Sequence, residues 1–434
     1  MRQYFWWALV KRFVAVMRED GAIQALRRAR LYLSRRIQNT GPSVLSVQGG
    51  GAPPEAYLQG IWAEIARGGG FHAPQDRTRP PRIALIGDLN LPQCRKYRIE
   101  QLAAFWRGQK VACDYAHYED LPRCVRLLQE ATHLCEYRLE TSPLTQMYRY
   151  EARRLGLPVL YDIDDPLFSV SAYETYHNMS ALDPALKAHF LSVAPRYAAM
   201  MNSADMVTVS TPGLAAHARL YTPRPVHVRR NFADAQTLED GAHAMKAVQA
   251  NPPDGIFRVV FASGSQGHEA DFDIIADTVA QFVCAEPDRS LVVLGHFRTE
   301  LLPKALRART RHHAFLPYED YLTQLASADV ALMPLQNDIF NQCKSAVRVI
   351  DAASVGLPSI VSDVGDLTSL IDEAETGFVA RTPQDWHTAL ETLAEDWVRT
   401  RAMGQAARDR LESRWSAQAA PHIIDAAVLD WIRT

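Results

Sequence analysis

The sequence predicts an α/β protein in which two Rossmann-like domains face each other across a cleft. Three observations carry that expectation. The 434 residues exceed what one ordinary core organises, and about 200 residues per domain is the natural division. Short, strongly apolar segments alternate with helical patterns in two separate series, as parallel sheets covered on both faces require. Between the series runs a polar stretch ending in NPPDG (251–255), which reads as the interdomain linker.

The chain before the first series divides in two. Residues 1–40 read as a basic amphipathic helical extension. Its opening apolar run is broken by Lys11 and Arg12, far short of the roughly 20 apolar residues that cross a bilayer. Trp6, Trp7, Phe13 and Val14 alternate with cations, and residues 1–36 hold nine Lys/Arg against Glu19 and Asp20. That net of +7 leaves −9 for the rest of a chain whose total is −2. An anionic membrane surface is the expected partner of this segment, placing the protein in the cytoplasm or peripherally on the inner face of the cytoplasmic membrane. Nucleic acid is not expected, because the remainder is acidic and no binding motif accompanies the arginines. Residues 41–81 are rich in Gly and Pro and read as a connector with one short helix near 57–67.

An N-terminal domain is expected over 82–235, with strands RIALIG (82–87), ATHLCEYR (131–138), PVLYDID (158–164), DMVTVS (205–210) and VHVRRNF (226–232). A C-terminal domain follows over 256–414. Its segments are FRVVFASG (257–264), a helix over ADFDIIADTVAQFV, SLVVLG (290–295), a helix over YEDYLTQLA, DVALMPL (329–335), a helix beginning at Lys344, and LPSIVSD (357–363). The last segment, 415–434, reads as a helix returning to the N-terminal domain. Six cysteines without a CxxC pair, and no histidine cluster at ligand spacing, argue against a zinc site or a disulfide framework.

The most informative stretch is FNQCKSAVRVIDAASVG (340–356). On a helix, Lys344, Arg348 and Asp351 at i, i+4 and i+7 set two cations and a deeper carboxylate on one face. Backbone N–H groups near Lys344 and Ser345 favour phosphate, and a carboxylate further along suits ribose hydroxyls. The stretch follows a strand, at the end where open α/β sheets bind ligands. An ordinary charged surface face is the competing reading.

From Arg82 to about Trp415 the chain resembles a glycosyltransferase of the GT-B fold, in the large retaining group that uses nucleotide-sugar donors. SGSQGHEADF (263–272) resembles a Gly-Thr-x-Thr-His-x-x-Asp-Phe loop, and FNQCKSAVRVIDAASVGLPSIVSD with TGFVA (376–380) resembles the donor region. YDIDDPLF (161–168) and QCRKYRIEQL (93–102) resemble N-domain signatures. The resemblance implies a donor held mainly by the C-terminal domain through Gly264, Ser265, His268, Lys344, Ser345, Arg348 and Asp351. It also implies a glycan or lipid-linked acceptor at the N-terminal domain, as in surface polysaccharide or glycoconjugate synthesis. Same-face attack assisted by the leaving phosphate is part of the same implication.

Two departures stand out. The Glu-x7-Glu pair of many retaining members is replaced by Cys343 and Asp351, and 261–275 lacks the Arg and Lys that often hold the diphosphate. Phosphate charge then falls to Lys344, Arg348, His268 and backbone N–H groups. In the N-terminal half, Asp164 and Asp165 are candidates for orienting or deprotonating an acceptor hydroxyl, with Arg98 and Arg138 expected at the cleft. The Asp-x-Asp of YDIDD also suits a divalent metal. Its sequence distance from the Lys344 stretch favours a metal-free, cofactor-free enzyme. An epimerase of the same fold that acts on nucleotide sugars, or a non-catalytic GT-B partner subunit, are the alternatives.

Overall fold

The computed structural model describes residues 55–74, 79–249, 254–264, 267–416 and 420–432, together with isolated positions near the start of the chain. Those positions, Phe13, Val14, Met17, Ala22, Leu26 and Ala29, are helical. The expectations for the remainder of residues 1–52 lie outside the described residues.

Two six-stranded parallel sheets form the frame. The first contains β1 (Arg82–Gly87), β2 (Ala112–His117), β3 (His133–Tyr137), β4 (Val159–Ile163), β5 (Met206–Val209) and β6 (Val226–Val228), in the order β2-β1-β3-β4-β5-β6. The second contains β7 (Phe257–Ser263), β8 (Arg289–Gly295), β9 (Thr310–His313), β10 (Val330–Met333), β11 (Ser359–Ser362) and β12 (Gly377–Ala380), in the order β12-β11-β10-β7-β8-β9. In each sheet the strand order reverses once, between β1 and β3 and between β7 and β10. Open α/β sheets bind ligands outside the carboxyl ends of the strands at that reversal.

The central strands are buried on both faces. Ile83, Leu85 and Ile86 in β1, Val259 and Phe261 in β7, and Val330 and Leu332 in β10 are essentially inaccessible. Helices cover the sheets and use ordinary end chemistry. Pro143–Leu155 starts at a Ser142–Thr145 capping box and stops at Gly156 in the left-handed region. Among the described residues no helix is long and apolar enough to cross a membrane.

The structure departs from the sequence reading in three respects. β2, β9 and β12 were not expected as strands; all three are edge strands, paired on one side only, and β2 and β9 are correspondingly less apolar. Most of 236–255 was expected to be linker, yet Ala235–Gln249 is a helix. It packs so closely on the C-terminal domain that a Cβ on Gly241 would lie 2.2 Å from the Ser354 carbonyl oxygen. Finally, the chain after the long helix Trp397–Arg414 returns as two short helices, Ala420–Ile423 and Ala426–Trp431. Arg230 N donates to Ile423 O at 2.7 Å and Asp425 N to Val228 O at 3.0 Å, fastening this tail beside β6.

Candidate active site

The segments that follow β7 and β10 meet the segments that follow β1, β4 and β5. On the C-terminal side the expected helix start at Lys344 is a correction. A short helix, Ile339–Gln342, is capped by Asp338, whose side chain accepts from Asn341 N at 2.9 Å. Residues 343–346 then form a loop, and the next helix is Val347–Ser354. Gly365, at φ +66°, lies under this loop; a Cβ there would approach the Asn341 and Lys344 carbonyl oxygens at 2.7 and 3.0 Å. The break puts Lys344 off the helix, while Arg348 and Asp351 remain on it.

Lys344 Nζ donates to the Tyr176 hydroxyl at 2.9 Å. Burial works to discharge the amine, but Tyr176 and Asp271 outweigh it and its proton affinity is raised. Arg348 Nη1 donates to Ala262 O at 3.2 Å, and the guanidinium stands 6.0 Å from the Phe261 ring centroid. Burial lowers its proton affinity from the usual arginine value. Neither cation is in an ion pair among the described residues. Ser345 Oγ accepts from Asn231 Nδ2 at 2.9 Å.

His268 follows β7, and its Nδ1 lies 2.9 Å from Asp271 Oδ2. Asp271 is fully buried and also accepts from Asn178 Nδ2 at 2.8 Å, Gln336 N at 3.0 Å and Asn341 Nδ2 at 3.1 Å. Burial, Lys344 and Arg348 hold the His268 ring down to about 4 against the pull of Asp271. Gly264 is exposed, with Gln93 of the facing domain close to it. Ser265 lies outside the described residues.

Asp351 is buried and accepts from Tyr97 and, at 2.8 Å, from Tyr318. Lys96 Nζ stands 3.3 Å from the Tyr318 ring centroid. Burial pushes the Asp351 carboxyl up, and Lys96 and the tyrosine hydroxyls pull it back.

In the N-terminal half, Arg138 Nη2 pairs with Asp165 at 2.9 Å, and Nη1 stands 3.7 Å from Asp164. Tyr137 donates to Asp164 at 2.9 Å. Burial and the adjacent Asp164 raise the Asp165 carboxyl, against Arg138 and Lys344. Lys344 acts electrostatically on Asp165, so the YDIDD end lies near the 343–346 loop although the two are remote in sequence. Arg98 is a correction. Instead of facing the cleft it is 1% exposed and grips Asp162, with Nε at 3.0 Å and Nη2 at 2.5 Å. Arg229 and Thr208 complete the Asp162 shell at 2.9 and 2.6 Å. The reason is local: Arg95–Glu100 is a π-helix, in which Gln101 N reaches back five residues to Lys96 O. This turn sends Tyr97 to Asp351 in the other domain and Arg98 into its own.

With this arrangement defined, comparison with known proteins can be set beside it. Residues 278–422 match a family model described as glycosyl transferase-like. The chain is 24% identical over 362 residues to D-inositol 3-phosphate glycosyltransferase of Corynebacterium aurimucosum, covering 78% of this chain and 75% of that one. Its fold is similar to sucrose-phosphate synthase from Thermosynechococcus elongatus (TM-score 0.53, 16% identity, 78% of this chain and 96% of that one). It is also similar to HepE of Anabaena in complex with UDP and glucose (TM-score 0.53, 14% identity, 81% and 99%). The chain has the GT-B fold, and it is similar to glycosyltransferases over most of its length.

The residue at the first position of the acidic pair expected from the resemblance, Cys343, is a buried thiol. Burial, Asp165 and Asp338 push it up to about 12, so it stays protonated at neutral pH. Sequence reasoning missed Tyr97, Tyr176, Asn178 and Asp271. Asp271 had a signal, the His-x-x-Asp spacing of the 263–272 motif, which on one helical turn brings imidazole and carboxylate together. The tyrosines and Asn178 come from the other domain and had none.

Proposed function

We propose that the chain moves a sugar from a nucleotide-sugar donor to a glycan or lipid-linked acceptor, with retention and without a metal, in surface polysaccharide or glycoconjugate synthesis. The observation that carries this reading is the pair Lys344 and Arg348. Both stand at the strand-order reversal of the C-terminal sheet, hydrogen-bonded to a hydroxyl and a carbonyl and not to carboxylates. Bond breaking at the sugar piles negative charge on the leaving nucleoside diphosphate, and preorganised cations in a water-poor site stabilise it. The structural neighbour HepE forms a complex with UDP and glucose, which supports a nucleotide-sugar donor for a chain of this fold.

Ser345 and the loop at Gly264 and Ser265 supply further donor contacts, and Asp351 serves the ribose once its tyrosine partners yield. Asp165, with Asp164 and Arg138, faces the incoming acceptor hydroxyl. A metal-free reaction is supported by Asp162, whose two oxygens are both taken by Arg98, Arg229 and Thr208. Activity should persist in excess EDTA; loss restored by manganese or magnesium would overturn that part. Residues 1–36 bring the enzyme to anionic lipid, and liposome flotation should fall when they are deleted.

Incubating the protein with a panel of nucleotide sugars, with and without glycan acceptors, tests the whole reading. Transfer to an acceptor is the expected outcome. Interconversion of the nucleotide sugar alone would make the protein an epimerase. Binding without turnover would favour a partner subunit, the reading that Cys343 in place of a carboxylate supports.

A further inference from the structure

His268 is wired differently from every other cleft residue. Asp271 receives three fixed donors, the Asn178 and Asn341 amides and the Gln336 N–H, and burial is outweighed so that its carboxyl is held well below the usual range. An ionised carboxylate only accepts, so the imidazole proton must sit on Nδ1. In the neutral ring Nε2 then carries a lone pair, and among the described residues it makes no hydrogen bond. A neutral Nε2 repels a phosphate oxygen. The ring nevertheless stands where a diphosphate is wanted, in a loop whose 261–275 stretch has no lysine or arginine.

The charges facing the ring come from three elements. On its own turn are Asp271 and Glu269, the latter accepting from Gly267 N and Arg298. Lys344 acts from the loop after β10 and Arg348 from the helix Val347–Ser354, both opposing a second proton. The facing domain contributes neutral groups, Asn178 and Tyr176. Burial and two fixed cations keep the ring neutral; an anion that neutralises the cations removes their share of the opposition and adds its own attraction for the second proton.

We propose that His268 is a conditional third cation of the donor site: it takes a solvent proton on Nε2 when a nucleoside diphosphate settles against Lys344 and Arg348, and donates that N–H to a phosphate oxygen. The Nε2 lone pair becomes an N–H bond as a hydronium ion or buffer acid gives up its proton, and no other bond changes. Asp271 holds the imidazole with Nε2 outward and stabilises the charged form. This inference rests on the donor-site reading above and adds that donor binding is coupled to proton uptake. Charge on the departing nucleotide is then met by three cations, one of which exists only while the nucleotide is bound.

Calorimetric titration with UDP and with GDP, in two buffers of different ionisation enthalpy near pH 7, gives the test. The expected result is uptake of about half a proton or more per nucleotide, absent in His268→Gln. Wild-type affinity should also fall more steeply than that of the variant from pH 6 to 8. Binding with no uptake, or the same uptake in His268→Gln, overturns the proposal and leaves the donor site standing. Failure of both nucleotides to bind overturns the donor-site reading itself. Should His268→Gln not fold, nitrogen-15 spectra of the wild-type histidine rings decide: Nε2 of His268 becomes protonated when UDP is added, and an unchanged ring contradicts the proposal.

Discussion

Two charge clusters lie on either side of the interdomain cleft, the N-terminal one largely buried within its own domain, and they are in opposite electrostatic states. On the N-terminal side Arg98, Arg138 and Arg229 are matched by Asp162, Asp164 and Asp165. On the C-terminal side Lys344 and Arg348 face Asp271, and that carboxylate is already committed to four donors. The first cluster is internally neutral and holds its own domain together. The second is short of negative charge, as a site for an anionic ligand must be. The number of arginines near a cleft therefore says less than the partners they have: a cation hydrogen-bonded only to a hydroxyl or a carbonyl marks where an anion goes.

The contrast can be broken at several points. Asp162→Ala would leave two buried guanidiniums without their carboxylate, which should cost about 3–5 kcal/mol and show as a large drop in the urea midpoint. A loss below about 1 kcal/mol would mean that this cluster does not hold the domain. Acid sharpens the comparison on the other side. In the folded chain His268 titrates near 4, whereas the unfolded ring takes its proton at the ordinary value near 6.5. Stability is therefore full above about 6.5 and declines as the pH falls towards about 4, by up to roughly 3 kcal/mol. His268→Gln should flatten that part of the stability-pH profile, and an unchanged slope would place the titration elsewhere. Tyr97→Phe removes one of the hydroxyls on Asp351 and should lower stability by about 1 kcal/mol in the same unfolding measurement.

Much of this was legible in the sequence. Buried parallel strands advertise themselves as apolar runs, so the two Rossmann-like halves and their central strands were readable. The edge strands β2 and β9 were not, because one unpaired flank leaves room for Asp114, His117 and Arg311. The helix predicted to begin at Lys344 starts three residues later, since an Asp338 cap and the approach of Gly365 break the turn. Arg98 was expected in the cleft because it follows β1. Its inward turn depends on a π-helix, for which RKYRIE carries no visible signal. Contacts across domains, such as Tyr176 on Lys344 and Tyr97 on Asp351, depend on how the halves meet, and residue spacing within one half does not encode that.

The central claim is that the C-terminal cations, and not the N-terminal ones, bind the nucleoside diphosphate. Titration of UDP and GDP against Lys344→Ala, Arg348→Ala and folded Arg138→Gln compares the two clusters directly. Each of the first two should weaken whichever nucleotide the wild type binds by roughly ten- to a hundredfold, the worth of one charge-assisted hydrogen bond. Arg138→Gln should leave that affinity within about twofold. Wild-type affinity in Lys344→Ala and Arg348→Ala, or an equal loss in Arg138→Gln, would contradict the account.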